Sequence, residues 1–351
     1  MAGFRITMLN HLIPIEFNND QRREFVNTQQ RFSSWSDARR RVVESRGSMV
    51  WQTTRGSDYL ARSYYDKGGV RRQTSLGPRS AETEQIKRDF EAGRDDARAR
   101  FDEIDEVLTR QAAVNRALGL GRVPSTGSRI IRLLDDSGLL GAGVKVIGTN
   151  AIYAYEAAAG VIVDPGITAT GDIDLLFDSR RNVRFVVSDD VPERSLIKVL
   201  KQVDKTFARS GNAYRAANAQ GYMVDLIKPL RDPPWKPDTS KIGETDADDL
   251  TAAEIEGLVW LENAPSFEHM VIDERGQPLR LVAADPRAWA VHKHWLSHRA
   301  DRDPIKRRRD ADQAVVAAFL VKTHFPHLPF VPEDLKAMPR DVVEAAAHLF
   351  G

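Results

Sequence analysis

The chain has 351 residues, 42% of them hydrophobic, enough for two or three domains each with a core of its own. Lys and Arg number 51 against 50 Asp and Glu, so no bulk field points to nucleic acid or an anionic membrane, and any basic surface is local. The absence of cysteine excludes disulfides, thiolate metal sites and cysteine nucleophiles and suits a cytoplasmic setting, and nowhere do about 18 apolar residues run together as a membrane span requires.

Asn10, His11 and Pro14 interrupt the apolar residues of the N-terminus, so no signal peptide is expected. Residues 1–125 read as one unit. The stretch QRREFVNTQQRFSSWSDARRRVVESRG predicts a pair of helices ending at Gly47. MVWQTT, YLARSYY and VRRQTS, separated by RGSD and DKGG, predict a three-stranded meander. Pro78 and Ser80 open a long polar helix with Ile86, Phe90, Phe101, Ile104 and Leu108 on one side, ending near Gly119, Gly121 and Pro124.

The second unit, 126–235, alternates helix and strand. SRIIRLLDDSG is a helix, VKVIG a strand, TNAIYAYEAAAG a helix, and DIDLLFD and VRFVVS are strands. SLIKVLKQVDKTFARSG follows as a helix, and AYRAANAQGYMVDLIKPL as a hairpin turning at Asn218 to Gly221. The Pro-rich, charged stretch RDPPWKPDTSKIGETDADD is a linker or long loop. The third unit, 236–351, holds the hairpin EHMVIDERGQPLRLVA and then helices. Together these predict an α+β protein: an α/β core with a mixed sheet, a helical N-terminal region carrying a small meander, and an α-rich C-terminal region.

Within the strand DIDLLFD, side chains two apart share a face, so Asp172 and Asp174 project together while Ile173, Leu175 and Phe177 enter the core. Such a hard, oxygen-only pair suits magnesium or manganese; it is equally the solvated end of a strand. Upstream, an apolar strand ends in Gly148, Thr149 and Asn150 just before a helix, a turn able to hold a phosphate or simply a tight connection. Downstream, Asp225 stands in the middle of an apolar strand, where its charge needs a metal or a salt-bridge partner. Three carboxylates on neighbouring strands beside such a turn form a coherent two-metal site, with ions roughly 3.5–4 Å apart clamping the attacking and leaving oxygens of a phosphoryl displacement.

These residues resemble the polymerase-β-type nucleotidyltransferase superfamily. Gly148 and Thr149 match its glycine turn, Asp172 and Asp174 its metal-binding pair, and Asp225 its third carboxylate. GTNAIYAY followed by TATGDIDLLF looks most like the branch of abortive-infection nucleotidyltransferase toxins, with Thr170 on the threonine of that core. Thr149 stands where a second Gly or Ser is usual, and Thr168 where that branch carries arginine. The branch's later basic pattern is similar to the segment with Lys293, then Arg302 or Arg299, then Lys306 to Asp310. Read physically, Asp303 caps a helix that begins at Pro304, and Lys306, Asp310 and Gln313 share one face of it; that face holds a triphosphate or is a solvated basic surface.

The resemblance implies an enzyme in which two magnesium or manganese ions sit on Asp172 and Asp174, with Asp225 a further ligand that helps activate an acceptor hydroxyl. It implies that Gly148, Thr149, Asn150, Lys293, Arg302 and Lys306 hold a nucleoside triphosphate such as ATP. The acceptor it favours is RNA, tRNA in particular, with a protein hydroxyl next, and an antitoxin-like protein as a further partner. Residues 1–125 lie outside the resemblance; their Tyr59, Tyr64, Tyr65, Arg62, Arg71 and Arg72 suit an acceptor-binding module or a plain surface sheet. Two rivals remain: a nucleotide-sugar glycosyltransferase, which leaves Asp225 and the glycine turn unexplained, and an inactive nucleotide or RNA sensor on the same fold.

Overall fold

The computed structural model describes residues 12–65, 71–178, 180, 182–183, 195–235, 241–242 and 248–351. Helix α1, Asn19–Glu44, opens on a reciprocal cap in which Asn18 and Gln21 each accept the other's backbone N–H at 2.9 Å. It is a single helix where the sequence suggests a pair. Ser34 and Ser36 fold their hydroxyls onto the carbonyls of Gln30 and Phe32, and Trp35 between them stacks on Phe32 and donates to Asp105 at 2.8 Å. Packing against the next helix therefore carries α1 through a serine-rich stretch that would otherwise favour a break.

Strands β1 (Ser48–Thr54), β2 (Ser57–Tyr65) and β3 (Arg71–Pro78) form the expected antiparallel meander. Arg55 and Gly56, at φ +53 and +82, make the two-residue turn between β1 and β2. Helix α2, Ala81–Ala117, is capped by Ser80 and runs back along α1, where Phe101 meets Trp35 at 5.7 Å.

Beyond α3 (Ser125–Asp136), β4 (Val144–Ile147), α4 (Ile152–Ala159) and β5 (Asp172–Phe177), helix α5 is Leu196–Val203, shorter than the 195–211 expected. Asp204 ends it by turning its carboxylate to the Thr206 N–H at 2.9 Å and the Asn218 amide at 3.0 Å. Strands β6 (Ala208–Arg209), β7 (Arg215–Ala217), β8 (Met223–Pro229) and β9 (Ala253–Ile255) follow. Helix α6 (Leu258–Asn263), the hairpin β10 (Ser266–Ile272) and β11 (Pro278–Ala284), and helices α7 (Pro286–His298), α8 (Pro304–His324) and α9 (Arg340–Ala346) come next along the chain.

One mixed eight-stranded sheet unites these strands in the order β10-β11-β4-β5-β8-β7-β6, with β9 pairing alongside β8. The late hairpin, placed by its sequence position in the third unit, thus adds to the sheet that bears the aspartates, because β11 pairs in parallel with β4. Val146, Ile173, Leu175 and Val224 are fully buried at its centre. Helix α4 locks onto the hairpin through the Tyr155 hydroxyl, which donates to the Ala284 carbonyl at 2.8 Å, and through an edge-on contact with Phe267, and the Tyr155 ring also meets Trp289 of α7 edge-on. From 184 to 188 the strand expected after β5 lies outside the described residues. Asn182–Val183 pairs in parallel with Lys241–Ile242, inside the stretch expected as a linker. No helix among the described residues is long and apolar enough to cross a membrane.

Candidate active site

Strand β5 begins at Asp172 and lies between β4 and β8, so that Asp174 has Ile147 in register on one side and Asp225 on the other. Alternation then sets Asp172 and Asp174 on one face, both partly exposed, while Ile173 and Leu175 are sealed in the core. Because β5 and β8 run parallel and in register, Asp225 faces the same way as Asp174.

Ile147 leads directly into Gly148, at φ +63. A Cβ built there would lie 1.9 Å from Oδ2 of Asp174, so glycine alone lets the turn ride over the carboxylate. Thr149 and Asn150 continue as one 3-10 turn and are buried. Their side chains brace the site: Asn150 donates to the Asp172 carbonyl at 2.8 Å, and the Thr149 hydroxyl accepts from Gln313 Nε2 at 3.1 Å. Gln313 also donates to the Ile167 carbonyl at 3.0 Å, tying α8 to the turn. The Thr170 hydroxyl hydrogen-bonds the Asp172 carboxylate.

Electrostatics single out Asp174. Burial first, then the Asp172 charge, push its carboxyl up to about 6, with Asp225 adding to the rise and Lys293 and Arg302 opposing it. Burial and then Asp172 also raise the Tyr222 hydroxyl well above its ordinary value, and that hydroxyl has no hydrogen-bond partner among the described residues.

Asp225 is 7% exposed, and Arg215 grips it with two parallel bonds, Nε to Oδ1 and Nη2 to Oδ2, each 2.6 Å. Among the described residues no group of three or more His, Cys, Asp or Glu side chains is arranged to hold a metal ion. Sequence reasoning left Asp225 between a metal and a salt bridge and did not name Arg215. The signal was present: a hairpin folded about Gln220 sets 215 against 225, and β7 pairs with β8 in that register.

The basic residues divide. Lys293 Nζ donates to Asp310 Oδ1 at 2.7 Å, and Arg302 Nε to Asp310 Oδ2 at 2.9 Å, with Lys293 and Asp310 both buried. Burial drives Lys293 below its ordinary value and Asp310 only partly restores it; burial likewise opposes the Asp310 charge, but Lys293 and Arg302 outweigh it and hold that carboxyl low. Arg302 rather than Arg299 turns inward, since Arg299 is held by Glu256 at 2.6 Å and Asp301 at 2.7 Å. Lys306 is exposed in the first turn of α8, which Asp303 caps and Pro304 begins, as the sequence predicts. One turn and nearly two turns further on, Asp310 and Gln313 are fully buried on that helix.

A mixed sheet with two carboxylates at the head of its central strand, a glycine turn folded over one of them, and a buried lysine and a half-buried arginine within electrostatic reach defines a site of the nucleotidyl-transfer class. The family model described as nucleotidyltransferase matches residues 126–339, more than half of the chain, and the chain belongs to that family. The matched span takes in Gly148, the three aspartates, Lys293, Arg302 and Lys306, and leaves the meander and the α1–α2 pair outside. Neither a curated protein nor a solved structure matches the chain.

Proposed function

We propose that the protein moves a nucleoside monophosphate from a nucleoside triphosphate to an acceptor hydroxyl, with pyrophosphate leaving, and that the acceptor is RNA, tRNA first among RNAs. The observation that carries the reading is the packing of Gly148 onto the Asp174 carboxylate, which leaves no room for any other residue at the point where the glycine turn meets the acidic pair.

Asp172 and Asp174 fit a divalent cation of the magnesium or manganese kind. They are hard oxygen donors on one strand face, and burial and then crowding by Asp172 push Asp174 up to about 6 in the protein alone, a cost that a bound cation reverses. Asp225 fits less simply, since both of its oxygens are engaged by Arg215. When bound, two such ions supply Lewis-acid stabilisation of the attacking and leaving oxygens. The chain's own part is to place the reactants. Gly148, Thr149 and Asn150 hold the triphosphate, and Lys293, Arg302 and the exposed Lys306 hold its far end. Asp225 helps activate the acceptor hydroxyl, whose oxygen bonds to the α-phosphorus as the bond to the β-phosphate oxygen breaks.

Charge distribution supports an RNA acceptor. Residues 36–100 hold 15 Lys and Arg against 10 Asp and Glu, net +5, which leaves −4 on the rest of a chain whose total is +1. The basic excess thus gathers on the meander and the end of α1 that leads into it, where Tyr59 and Tyr65 are exposed and Arg71 pairs across strands with Tyr65. The likeness of the GDIDLLF core to abortive-infection toxins completes the reading, with a cytoplasmic setting and an antitoxin-like partner.

The test incubates the protein with each α-labelled nucleoside triphosphate, magnesium and a whole-cell extract, beside Asp172→Asn/Asp174→Asn. Label in an RNA band with the wild type alone supports the proposal, and label in a protein band moves the acceptor to a protein hydroxyl. Nucleotide binding without transfer replaces the enzyme by a sensor.

A further inference from the structure

We infer that Arg215 and a divalent cation compete for Asp225: the guanidinium holds the third carboxylate while the site is empty and releases it when a cation binds to Asp172 and Asp174. The inference rests on the metal-dependent reading above and adds a residue that the family pattern does not contain.

Three observations carry it. Asp225 is the register neighbour of Asp174 on the adjacent parallel strand, so all three carboxylates share one face of β5 and β8. Like charges so placed repel unless a positive charge intervenes. Arg215 supplies that charge from the other side of Asp225, its register partner across β7 and β8, through two 2.6 Å bonds. Because the pairing is bidentate it uses both carboxylate oxygens, and among the described residues the three acids form no ready-made ligand set.

The pairing is built to open. Arg215 keeps 28% of its side chain exposed, whereas the pair formed by Lys293 and Asp310 is closed, at 7% and 1%. The guanidinium carbon also lies 5.6 Å over the ring of Tyr214, a surface on which it rests once it leaves Asp225. Arg215 is thus a positioning residue. It holds Asp225 on the face shared with Asp174 without closing it off.

The experiment measures manganese(II) binding to the full chain by titration calorimetry and by the spin-resonance signal of the free ion, with no nucleotide present. Arg215→Gln is expected to tighten manganese about tenfold, about 1.4 kcal/mol, and Asp225→Asn to weaken it. In Arg215→Gln/Asp225→Asn the gain from losing the arginine is expected to vanish, because the contested carboxylate is gone. If the gain persists in the double variant, Arg215 acts only as a nearby charge and the competition is wrong; an unchanged affinity in Arg215→Gln overturns it equally. Arg215→Lys keeps the charge but cannot span both oxygens, so it is expected to tighten manganese by less than Arg215→Gln. Should Asp225→Asn not fold, the thermal shift on adding manganese decides: it is expected to be larger in Arg215→Lys than in the wild type, and equal shifts overturn the idea. The underlying metal reading fails separately, if Asp172→Asn binds manganese as the wild type does.

Discussion

Removing the charge of Asp174 alone is expected to stabilise the cation-free protein, and only above a defined pH. Its carboxyl stands at about 6 in the folded chain against an ordinary 3.8, a rise of roughly two units that at about 1.4 kcal/mol each corresponds to about 3 kcal/mol. A carboxyl raised on folding binds its proton more tightly in the folded state, so the wild type is unpenalised below about pH 4 and loses stability as pH climbs through 6. Asp174→Asn is neutral throughout. In chelator, urea unfolding should therefore find the variant more stable than the wild type by up to about 3 kcal/mol at pH 8, and within about 0.5 kcal/mol at pH 4. Manganese at about one hundred times its dissociation constant should return about 2.7 kcal/mol to the wild type at pH 8, and much less to the variant. Equal stabilities at pH 8 without a cation, or a less stable variant, would refute the view that burial and Asp172 crowd this carboxylate.

Gly148→Ala puts a methyl 1.9 Å from Asp174 Oδ2 at a positive φ; it is expected to cost about 1–3 kcal/mol in urea unfolding and to cut label transfer by about two orders of magnitude or more. Full transfer by this variant would show that the close approach is dispensable. Asp310→Asn strands the buried Lys293 and is expected to cost about 3–5 kcal/mol, read from the urea midpoint, with a change under about 1 kcal/mol counting against a buried pair. Lys306→Ala alters an exposed side chain, so stability should hold within about 0.5 kcal/mol while KM for the nucleoside triphosphate rises about threefold or more; an unmoved KM removes Lys306 from the nucleotide site.

Local chemistry alone determined much of this protein. Alternation along DIDLLFD set Asp172 and Asp174 against a buried Ile173 and Leu175, turn residues delimited the meander, and Asp303 with Pro304 marked the start of α8, because each depends on a few neighbouring residues. The glycine after VKVI was legible as a special position; its reason, a carboxylate from a strand more than twenty residues away seated where a Cβ would be, was not. Tertiary structure also decided that α1 runs unbroken through its serines, since Trp35 bonds Asp105 of the facing helix. It chose Arg302 over Arg299, because Asp310 lies buried beside Lys293 while Glu256 draws Arg299 outward. It drew the late hairpin into the central sheet through the pairing of β11 with β4. Charges are paired by proximity in space, and strands by the edges left open to them, so neither can be read from spacing along the chain.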